Sequence, residues 1–230
     1  MKIAYLQRSS LIDYPGRISA VIFTQGCNFV CPYCHNPELV KPELFTESVN
    51  VKEIFDFLEL RKNKLEGIVI TGGEPTLQKG LIPFMKSLRQ MGYKLKLDTN
   101  GSKPEVIETL IQERLVDFIA MDIKAPHGKY SRVAGKNVDI NALAKSIHII
   151  MNSGAEYEFR TTAAKKMIDS EDLKSIVQMI EGADRYVIQK FISSKHLDDS
   201  LKDSESLTLD DIRDCIPVIE KQIKKLIIRL

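Results

Sequence analysis

The sequence predicts an α/β fold, a partial and open (β/α)6 barrel with a C-terminal extension of one helix and one short strand. Three observations support this prediction. Strand-like and helix-like segments alternate along the 230 residues, which is typical of parallel βα units. Six such units are fewer than the eight that close a complete barrel. The motifs with chemical character follow the ends of predicted strands, where parallel α/β folds place their active sites.

The predicted elements follow from apolar spacing and from helix-terminal residues. The strands are Ile18–Thr24, Gly67–Thr71, Lys94–Asp98, Asp117–Asp122, Glu156–Thr162 and Tyr186–Phe191. The helices are Val51–Lys62, Leu81–Met91, Pro104–Glu113, Ile140–Asn152 and Ser170–Glu181. Pro104 suits a first helical turn, and Ser170 followed by two acidic residues suits a capped helix start.

We expect two regions, the barrel over residues 1–192 and a loop plus helix over 193–230 packed on the same domain. The stretch Ser193–Ser206 is polar and predicts a surface loop. A last amphipathic helix is predicted from near Leu209, with Cys215 on its apolar face, so Cys215 is expected to be a buried apolar residue. Residues 226–230 predict a short terminal strand.

Composition excludes several classes of function. The net charge is +2, and no basic stretch is interleaved with aromatic residues, so nucleic-acid binding is not expected. Residues 1–10 contain no continuous apolar segment, and no apolar run is long enough to span a bilayer, so we expect neither a secretory signal nor membrane insertion. Four cysteines, three of them clustered, suit a reducing cytoplasm.

The segment Gln25–Asn36, Q-G-C-N-F-V-C-P-Y-C-H-N, places Cys27, Cys31 and Cys34 within eight residues. Thiolates so close together predict a soft metal centre. A structural zinc site normally takes four ligands, and an electron-transfer iron–sulfur cluster normally takes four cysteines. His35 directly follows Cys34, and Cys215 lies far along the chain, so neither is a convenient fourth ligand. Three protein ligands would leave one iron of a cubane cluster open to a substrate.

This C-x3-C-x2-C spacing, with Tyr33 before the third cysteine, resembles the signature of radical S-adenosylmethionine (radical SAM) enzymes. The resemblance implies that Cys27, Cys31 and Cys34 bind a catalytic [4Fe-4S] cluster whose fourth iron chelates S-adenosylmethionine. It also implies that an electron from the cluster cleaves the cofactor to methionine and a 5′-deoxyadenosyl radical. An exposed iron would be sensitive to oxygen, so an anaerobic setting is expected.

A second motif, Gly72-Gly73-Glu74-Pro75, follows the second predicted strand. Two glycines allow close approach to the backbone, and Glu74 adds a negative charge beside them. The alternative is an ordinary turn between a strand and a helix. In radical SAM enzymes a G-G-E-P element binds the amino group of the methionine moiety, and the match here is verbatim.

Asp98 and Asp122 each end an apolar strand, where a carboxylate needs a partner or a cation. The motifs D-T-N-G and D-I-K resemble those of glycyl-radical-enzyme activating enzymes. The resemblance implies that both aspartates help to hold a monovalent cation beside the cofactor's carboxylate and that Lys124 contacts the cofactor. A turn-forming Asp98 and a surface pair between Asp122 and Lys124 are the alternatives.

Two further residues gain their assignments from position in the same family. Arg160 matches an arginine that reaches the cofactor, although a surface ion pair with Glu156 or Glu158 is an alternative. His35, in Y-C-H-N, matches a histidine near the adenine. The family's cofactor contact after the sixth strand has no clear match, and Gln189 is the candidate.

The segment Ser10–Arg17 resembles an activase segment that contains D-G-P-G, with Tyr14 in place of the first glycine. In the family this aspartate, Asp13 here, lies where the partner's glycine loop enters. D-Y-P-G is closest to the activating proteins of anaerobic ribonucleoside-triphosphate reductase.

The resemblance therefore implies a radical SAM activase that generates a glycyl radical on the large subunit of that reductase. Its electron donor would be a protein such as flavodoxin or ferredoxin. The alternatives are activation of another glycyl radical enzyme such as pyruvate formate-lyase, radical SAM chemistry on a small molecule, or a non-catalytic zinc or iron–sulfur module.

Overall fold

The computed structural model describes residues 1–193, 197–198 and 201–230. Its strands form one sheet in chain order from β1 to β8, with β1 antiparallel to β2 and every other neighbouring pair parallel. The strands are β1 (Ile3–Ser10), β2 (Ser19–Thr24), β3 (Gly67–Gly72), β4 (Lys94–Thr99), β5 (Phe118–Asp122), β6 (Glu156–Ala163), β7 (Tyr186–Lys190) and β8 (Leu226–Arg229). Because β1 and β8 are the two edges and do not pair within the described residues, the sheet is an open, partial barrel. The predicted fold class is confirmed.

Helices connect the parallel strands. They are α1 (Pro37–Val40), α2 (Val51–Leu60), α3 (Leu81–Gln90), α4 (Pro104–Gln112), α5 (His127–Ala134), α6 (Ile140–Met151), α7 (Ser170–Met179), α8 (Leu209–Ile212) and α9 (Ile216–Gln222). Two short 3-10 helices cover Pro42–Leu44 and Pro75–Leu77. Among the described residues, no helix has the length and apolar character needed to cross a bilayer.

Alternate residues of each strand face two different apolar layers. Ile68 and Ile70 of β3 belong to the main core, together with residues of the helices such as Leu58. Val69, between them, belongs to a small separate cluster on the other face of the sheet. The members of that inner cluster are Tyr14, Val21, Phe23, Val69, Phe118 and Ala120. The barrel interior is therefore only partly apolar, which leaves room for polar side chains above this cluster.

The four-residue α1 and the two 3-10 helices have no counterpart in the sequence prediction, and neither do two longer elements, β1 and α5. β1 is an edge strand whose side chains are mostly partly or fully exposed, so it lacks a buried apolar run. α5 is short and contains few apolar residues, so its helical spacing is weak. β1 forms because it pairs with β2, and α5 forms because its few apolar residues pack into the core. Local sequence pattern predicts neither element.

The C-terminal region differs from the prediction in its helix. The expected single helix is two short helices, α8 and α9, because Pro217 in the first turn of α9 has no N–H to continue the preceding helix. Cys215, between them, is fully buried as expected, and its thiol donates to the Ile212 carbonyl oxygen over 3.0 Å. The predicted terminal strand is β8, which pairs in parallel with β7.

Parts of the predicted surface loop, residues 194–196 and 199–200, lie outside the described residues. The division of the chain at residue 192 stays a prediction.

The C-terminal end of α5 supports the cysteine segment. The Val30 N–H donates to the Ala134 carbonyl oxygen over 2.8 Å. Gly135 follows in the left-handed conformation with φ of 68°, and a Cβ on it would lie 2.2 Å from the Val30 carbonyl oxygen. A glycine is therefore required at residue 135 both by its backbone conformation and by this close approach.

We expect Gly135→Ala to destabilise the protein more than Gly154→Ala. Gly154 has a similar φ of 70°, but a Cβ there would contact nothing within 4 Å. Gly154→Ala should cost about 1 kcal/mol of unfolding free energy from backbone strain alone. Gly135→Ala should cost at least about 2 kcal/mol more, because the Val30 backbone must shift. Urea unfolding of both variants measures this difference, and equal losses would contradict the close approach.

Candidate active site

The twelve residues predicted as site residues line one cavity of about 200 Å³ at the carboxyl ends of the parallel strands. They are Cys27, Cys31, Tyr33, Cys34, His35, Gly72, Gly73, Glu74, Asp98, Asp122, Lys124 and Arg160. The structure thus brings together residues that lie at or near the carboxyl ends of β2, β3, β4, β5 and β6. Their convergence was predicted from strand-end positions.

The three clustered cysteines are free thiols in the loop after β2. Burial raises the pKa of Cys27 to about 12 and that of Cys31 to about 11, although the nearby Lys124 charge acts in the opposite direction. Burial also raises the pKa of Cys34. These thiols are therefore protonated at neutral pH until a metal displaces their protons.

The donor set fits a multi-iron cluster better than a single ion. Across residues 1–193, 197–198 and 201–230, no group of three His, Cys, Asp or Glu side chains is arranged to hold one metal ion. In a cubane cluster each thiolate binds a different iron, so the sulfurs do not have to converge on one point. Three free thiols around one cavity are consistent with that arrangement.

Gly72 and Gly73 let the end of β3 lie directly against the start of the cysteine loop. Gly72 has φ of 116°, and a Cβ on it would lie 2.3 Å from the Thr24 backbone nitrogen. A Cβ on Gly73 would lie 2.2 Å from the Gly26 carbonyl oxygen. The Glu74 N–H donates to that same oxygen over 2.9 Å. No residue larger than glycine fits this contact without backbone movement.

Glu74 is fully buried, and both of its carboxylate oxygens accept hydrogen bonds from the protein. Oε1 accepts from the Thr76 N–H, the Thr76 hydroxyl and the Thr99 hydroxyl, the last over 2.8 Å. Oε2 accepts from the Asn100 N–H over 2.6 Å. Burial raises the pKa of Glu74 despite these donors. Glu74 therefore joins the loop after β3 to the end of β4, a connecting role that the motif alone did not reveal.

Asp98 and Asp122 are held in a chain of alternating charges. Arg160 Nε donates to Asp122 Oδ1 over 2.9 Å, and Arg160 Nη1 donates to Asp98 Oδ2 over 3.3 Å. Lys96 pairs with the other oxygen of Asp98, and Lys124 lies 3.4 Å from the other oxygen of Asp122. We call these five residues the ion chain. Within the ion chain, three cations face two carboxylates.

The ion chain corrects one alternative and explains the pKa directions. Arg160 does not pair with Glu156 or Glu158 as a surface residue would, and Glu156 pairs with Arg185 instead, over 2.7 Å. Burial alone would raise the pKa of both aspartates, but Arg160 outweighs it, assisted by Lys96 at Asp98 and by Lys124 at Asp122. Both pKa values lie below the usual 3.8, so both carboxylates are ionised at neutral pH.

Two aromatic contacts border the cavity. The His35 ring stacks on Phe191 with centroids 5.8 Å apart and an interplanar angle of 23°. His35 Nε2 lies 2.9 Å from the Ile192 carbonyl oxygen, a hydrogen-bonding distance. Lys124 Nζ lies 5.8 Å from the centroid of the buried Tyr33 ring. Gln189, the candidate contact after the sixth predicted strand, lines a different cavity.

Comparison with known proteins identifies the family. The model of the radical SAM superfamily matches residues 21–189, which is more than half of the chain and includes the cysteine loop and the ends of the parallel strands. The chain belongs to the radical SAM superfamily.

Two curated relatives are similar over nearly their full length. A Methanocaldococcus jannaschii protein, provisionally named a glycyl-radical enzyme activating enzyme, is 36% identical over 226 residues, covering 96% of this chain and 92% of the relative. The pyruvate formate-lyase-activating enzyme of Clostridium pasteurianum is 25% identical over 248 residues, covering 98% of each chain. The crystal structure of Streptococcus suis SuiB bound to S-adenosylmethionine has a TM-score of 0.66 at 18% identity. The match covers 90% of this chain and 49% of SuiB. At 18% identity it shows a similar fold and nothing further.

Sequence reasoning missed two residues of this radical SAM cavity and also Lys96, which pairs with Asp98 but lines a neighbouring cavity. Asn100 and Thr99 line the radical SAM cavity, and Asn100 Nδ2 donates to Asn28 Oδ1 over 2.9 Å and lies 3.9 Å from Cys27 Sγ. Their position in D-T-N-G, at a strand end, was the available signal. Lys96 was missed because a lysine within a strand normally indicates an exposed face.

We expect Arg160→Met to destabilise the protein by about 2–4 kcal/mol at neutral pH, because it leaves two partly buried carboxylates without their shared partner. The contribution of Asp98 and Asp122 is present above the usual carboxyl pKa and is lost as pH falls through their lowered pKa values. The difference in unfolding free energy between the variant and the unmutated protein should therefore shrink on acidification below about pH 4.

Arg185→Met is the matched control, because it removes an arginine whose partner, Glu156, is largely exposed. It should cost less than about 1 kcal/mol. Urea unfolding across a pH series measures both variants. A pH-independent loss for Arg160→Met would contradict the assigned network.

Proposed function

We propose that this chain is a radical SAM activase that uses a [4Fe-4S] cluster and S-adenosylmethionine to generate a glycyl radical on a partner enzyme. The observation that carries the proposal is the cavity itself. It combines three free thiols, a glycine loop and the ion chain in a radical SAM fold. Relatives named as activating enzymes, matched over nearly their full length, support the reaction class.

In this proposal Cys27, Cys31 and Cys34 hold the cluster. When bound and reduced, the cluster supplies the electron that cleaves S-adenosylmethionine. Lys124 and Arg160 would pair with the cofactor's carboxylate group, since both are cations that line the cavity. Backbone carbonyls of the Gly72-Gly73 turn would accept from its ammonium group, and His35 would contact its adenine.

Glu74 is assigned a supporting role here, because its carboxylate is committed to Thr76, Thr99 and Asn100. A monovalent cation beside Asp98 and Asp122 is not part of the proposal. All four of their carboxylate oxygens already face a protein cation, so the donor set does not favour an added ion.

A second cavity, of about 570 Å³, supports access for a polypeptide substrate. It shares Arg160 with the first cavity and is lined on one side by residues of the loop before β2. Leu11 and Ile12 of that loop are 76% and 85% exposed. Asp13 accepts a hydrogen bond from the Ser10 hydroxyl, which gives the loop a defined turn. We infer that the glycine-bearing loop of the partner enters beside Leu11 and Ile12.

We propose the large subunit of anaerobic ribonucleoside-triphosphate reductase as the partner. The D-Y-P-G segment at Asp13–Gly16 supports this choice over pyruvate formate-lyase. The electron donor would be a small redox protein such as flavodoxin or ferredoxin, acting in an anaerobic cytoplasm. A radical SAM reaction on a small molecule is the second candidate.

The test is anaerobic reconstitution with iron and sulfide, followed by reduction in the presence of S-adenosylmethionine. We expect about four irons per chain and reductant-dependent formation of 5′-deoxyadenosine. Cys31→Ala should lose both, because it removes a proposed cluster ligand. Cys215→Ala should keep both, because Cys215 is buried between α8 and α9 and does not line the cavity.

Equal iron content and cofactor cleavage in the Cys31→Ala variant would contradict the cluster assignment. One tightly held zinc per chain without cofactor cleavage would indicate a non-catalytic module. The partner is tested by electron paramagnetic resonance of mixtures with candidate enzymes. A glycyl radical in the anaerobic reductase, but not in pyruvate formate-lyase, is the expected result. Cofactor cleavage without a radical in either would favour the small-molecule reaction.

A further inference from the structure

Lys96 is a buried cation that the proposed chemistry does not yet use. Its side chain is only 2% exposed, although it lies in the middle of β4. Side chains two residues apart on a strand share a face, so Lys96 and Asp98 point to the same side of the sheet. The Lys96 ammonium pairs with Asp98 and lies 5.8 Å from the centroid of the Phe118 ring. A lysine in such a place is retained only with a charged partner.

We propose that Lys96 is a built-in counter-ion that takes the place of the monovalent cation predicted beside Asp98 and Asp122. Lys96 is then a positioning residue. Its ammonium group pairs with one carboxylate oxygen of Asp98, and Arg160 links the other oxygen to Asp122. This inference depends on the proposed function, in which the cavity binds S-adenosylmethionine.

Every carboxylate oxygen of Asp98 and Asp122 already faces a protein cation. Asp98 has Lys96 on Oδ1 and Arg160 on Oδ2, and Asp122 has Arg160 on Oδ1 and Lys124 on Oδ2. An added monovalent ion at either aspartate would lie within a few ångströms of two fixed positive charges. The mutual repulsion of charges at such distances in a partly buried site opposes its binding.

Lys96 also contributes one of the three positive charges that face the carboxylates of Asp98 and Asp122. Without Lys96 the site would carry one positive charge fewer, and Asp98 would have one oxygen free beside the cavity. A mobile cation would then be needed to restore the same balance. Lys96 therefore makes that ion unnecessary.

Lys94→Met is a matched control for Lys96→Met. Lys94 lies on the same strand and the same face, but its side chain is 50% exposed and pairs with Asp117 at the opposite end of β4, over 3.0 Å. Both substitutions remove one ammonium group and keep a side chain of similar length. Only the Lys96 substitution changes the charge beside Asp98.

The experiment measures S-adenosylmethionine affinity of the cluster-loaded protein in potassium chloride and in tetramethylammonium chloride. The unmutated protein and Lys94→Met should show affinities equal within about twofold in the two salts. Lys96→Met should bind about tenfold more weakly in tetramethylammonium chloride and should recover in potassium chloride. Recovery by potassium is a response that a merely structural role for Lys96 would not give.

A second measurement locates the ion directly. Crystals of both proteins are soaked in thallium(I), a potassium mimic with a strong anomalous signal. A thallium peak beside Asp98 in Lys96→Met, and none there in the unmutated protein, is the expected result. A peak there in the unmutated protein overturns the proposal, as does potassium-dependent affinity of the unmutated protein.

These outcomes separate the two proposals. If neither protein binds S-adenosylmethionine, the proposed function fails, and the thallium positions still decide whether Lys96 replaces an ion. If Lys96→Met does not fold, the potassium dependence and the thallium positions of the unmutated protein alone test the proposal. Affinity that is independent of potassium, with no thallium beside Asp98, supports the inference, and the opposite result rejects it.

Discussion

The ionised state of Asp98 and Asp122 depends on one guanidinium group. The two carboxylates lie at the ends of adjacent strands, β4 and β5, and line the same cavity. Side by side they would repel each other and become protonated. Arg160, on the next strand, β6, contacts both and keeps both charged. The order of the strands in the sheet therefore produces the order of charges in the site.

A second constraint acts through backbone contact rather than charge. The end of β3 touches the loop after β2 so closely that a Cβ on Gly72 would clash with the Thr24 backbone and a Cβ on Gly73 with the Gly26 carbonyl oxygen. Glu74 extends this contact to the end of β4 through Thr99 and Asn100. Because Cys27 directly follows Gly26, the position of the first thiol depends on this buried contact. The cysteine loop is thus held by backbone contacts that do not involve its thiols.

The sequence predicted those parts of the structure that local pattern determines. The six strands of the βα units are buried and apolar, and the polar residues near the ends of five of them, together with the resemblance to a known family, gave the candidate site residues. β1, α5 and the break at Pro217 were not recovered, because pairing and packing fix them. Lys96 was missed for the same reason. Its spacing from Asp98 is visible in the sequence, but its burial depends on β5 and β6, which no local pattern contains.

The inner face of the barrel has one consequence for access to the cavity. Tyr14 is buried, packs edge-on against Phe118, and occupies the amino end of the barrel interior. A Cβ on Gly67 would lie 2.7 Å from the Tyr14 ring, so the glycine at the start of β3 is what makes room for that ring. Tyr14 therefore fills the base of the barrel interior. A substrate must therefore approach from the side or from the carboxyl ends of the strands, and the cavity beside Leu11 and Ile12 provides such a side approach.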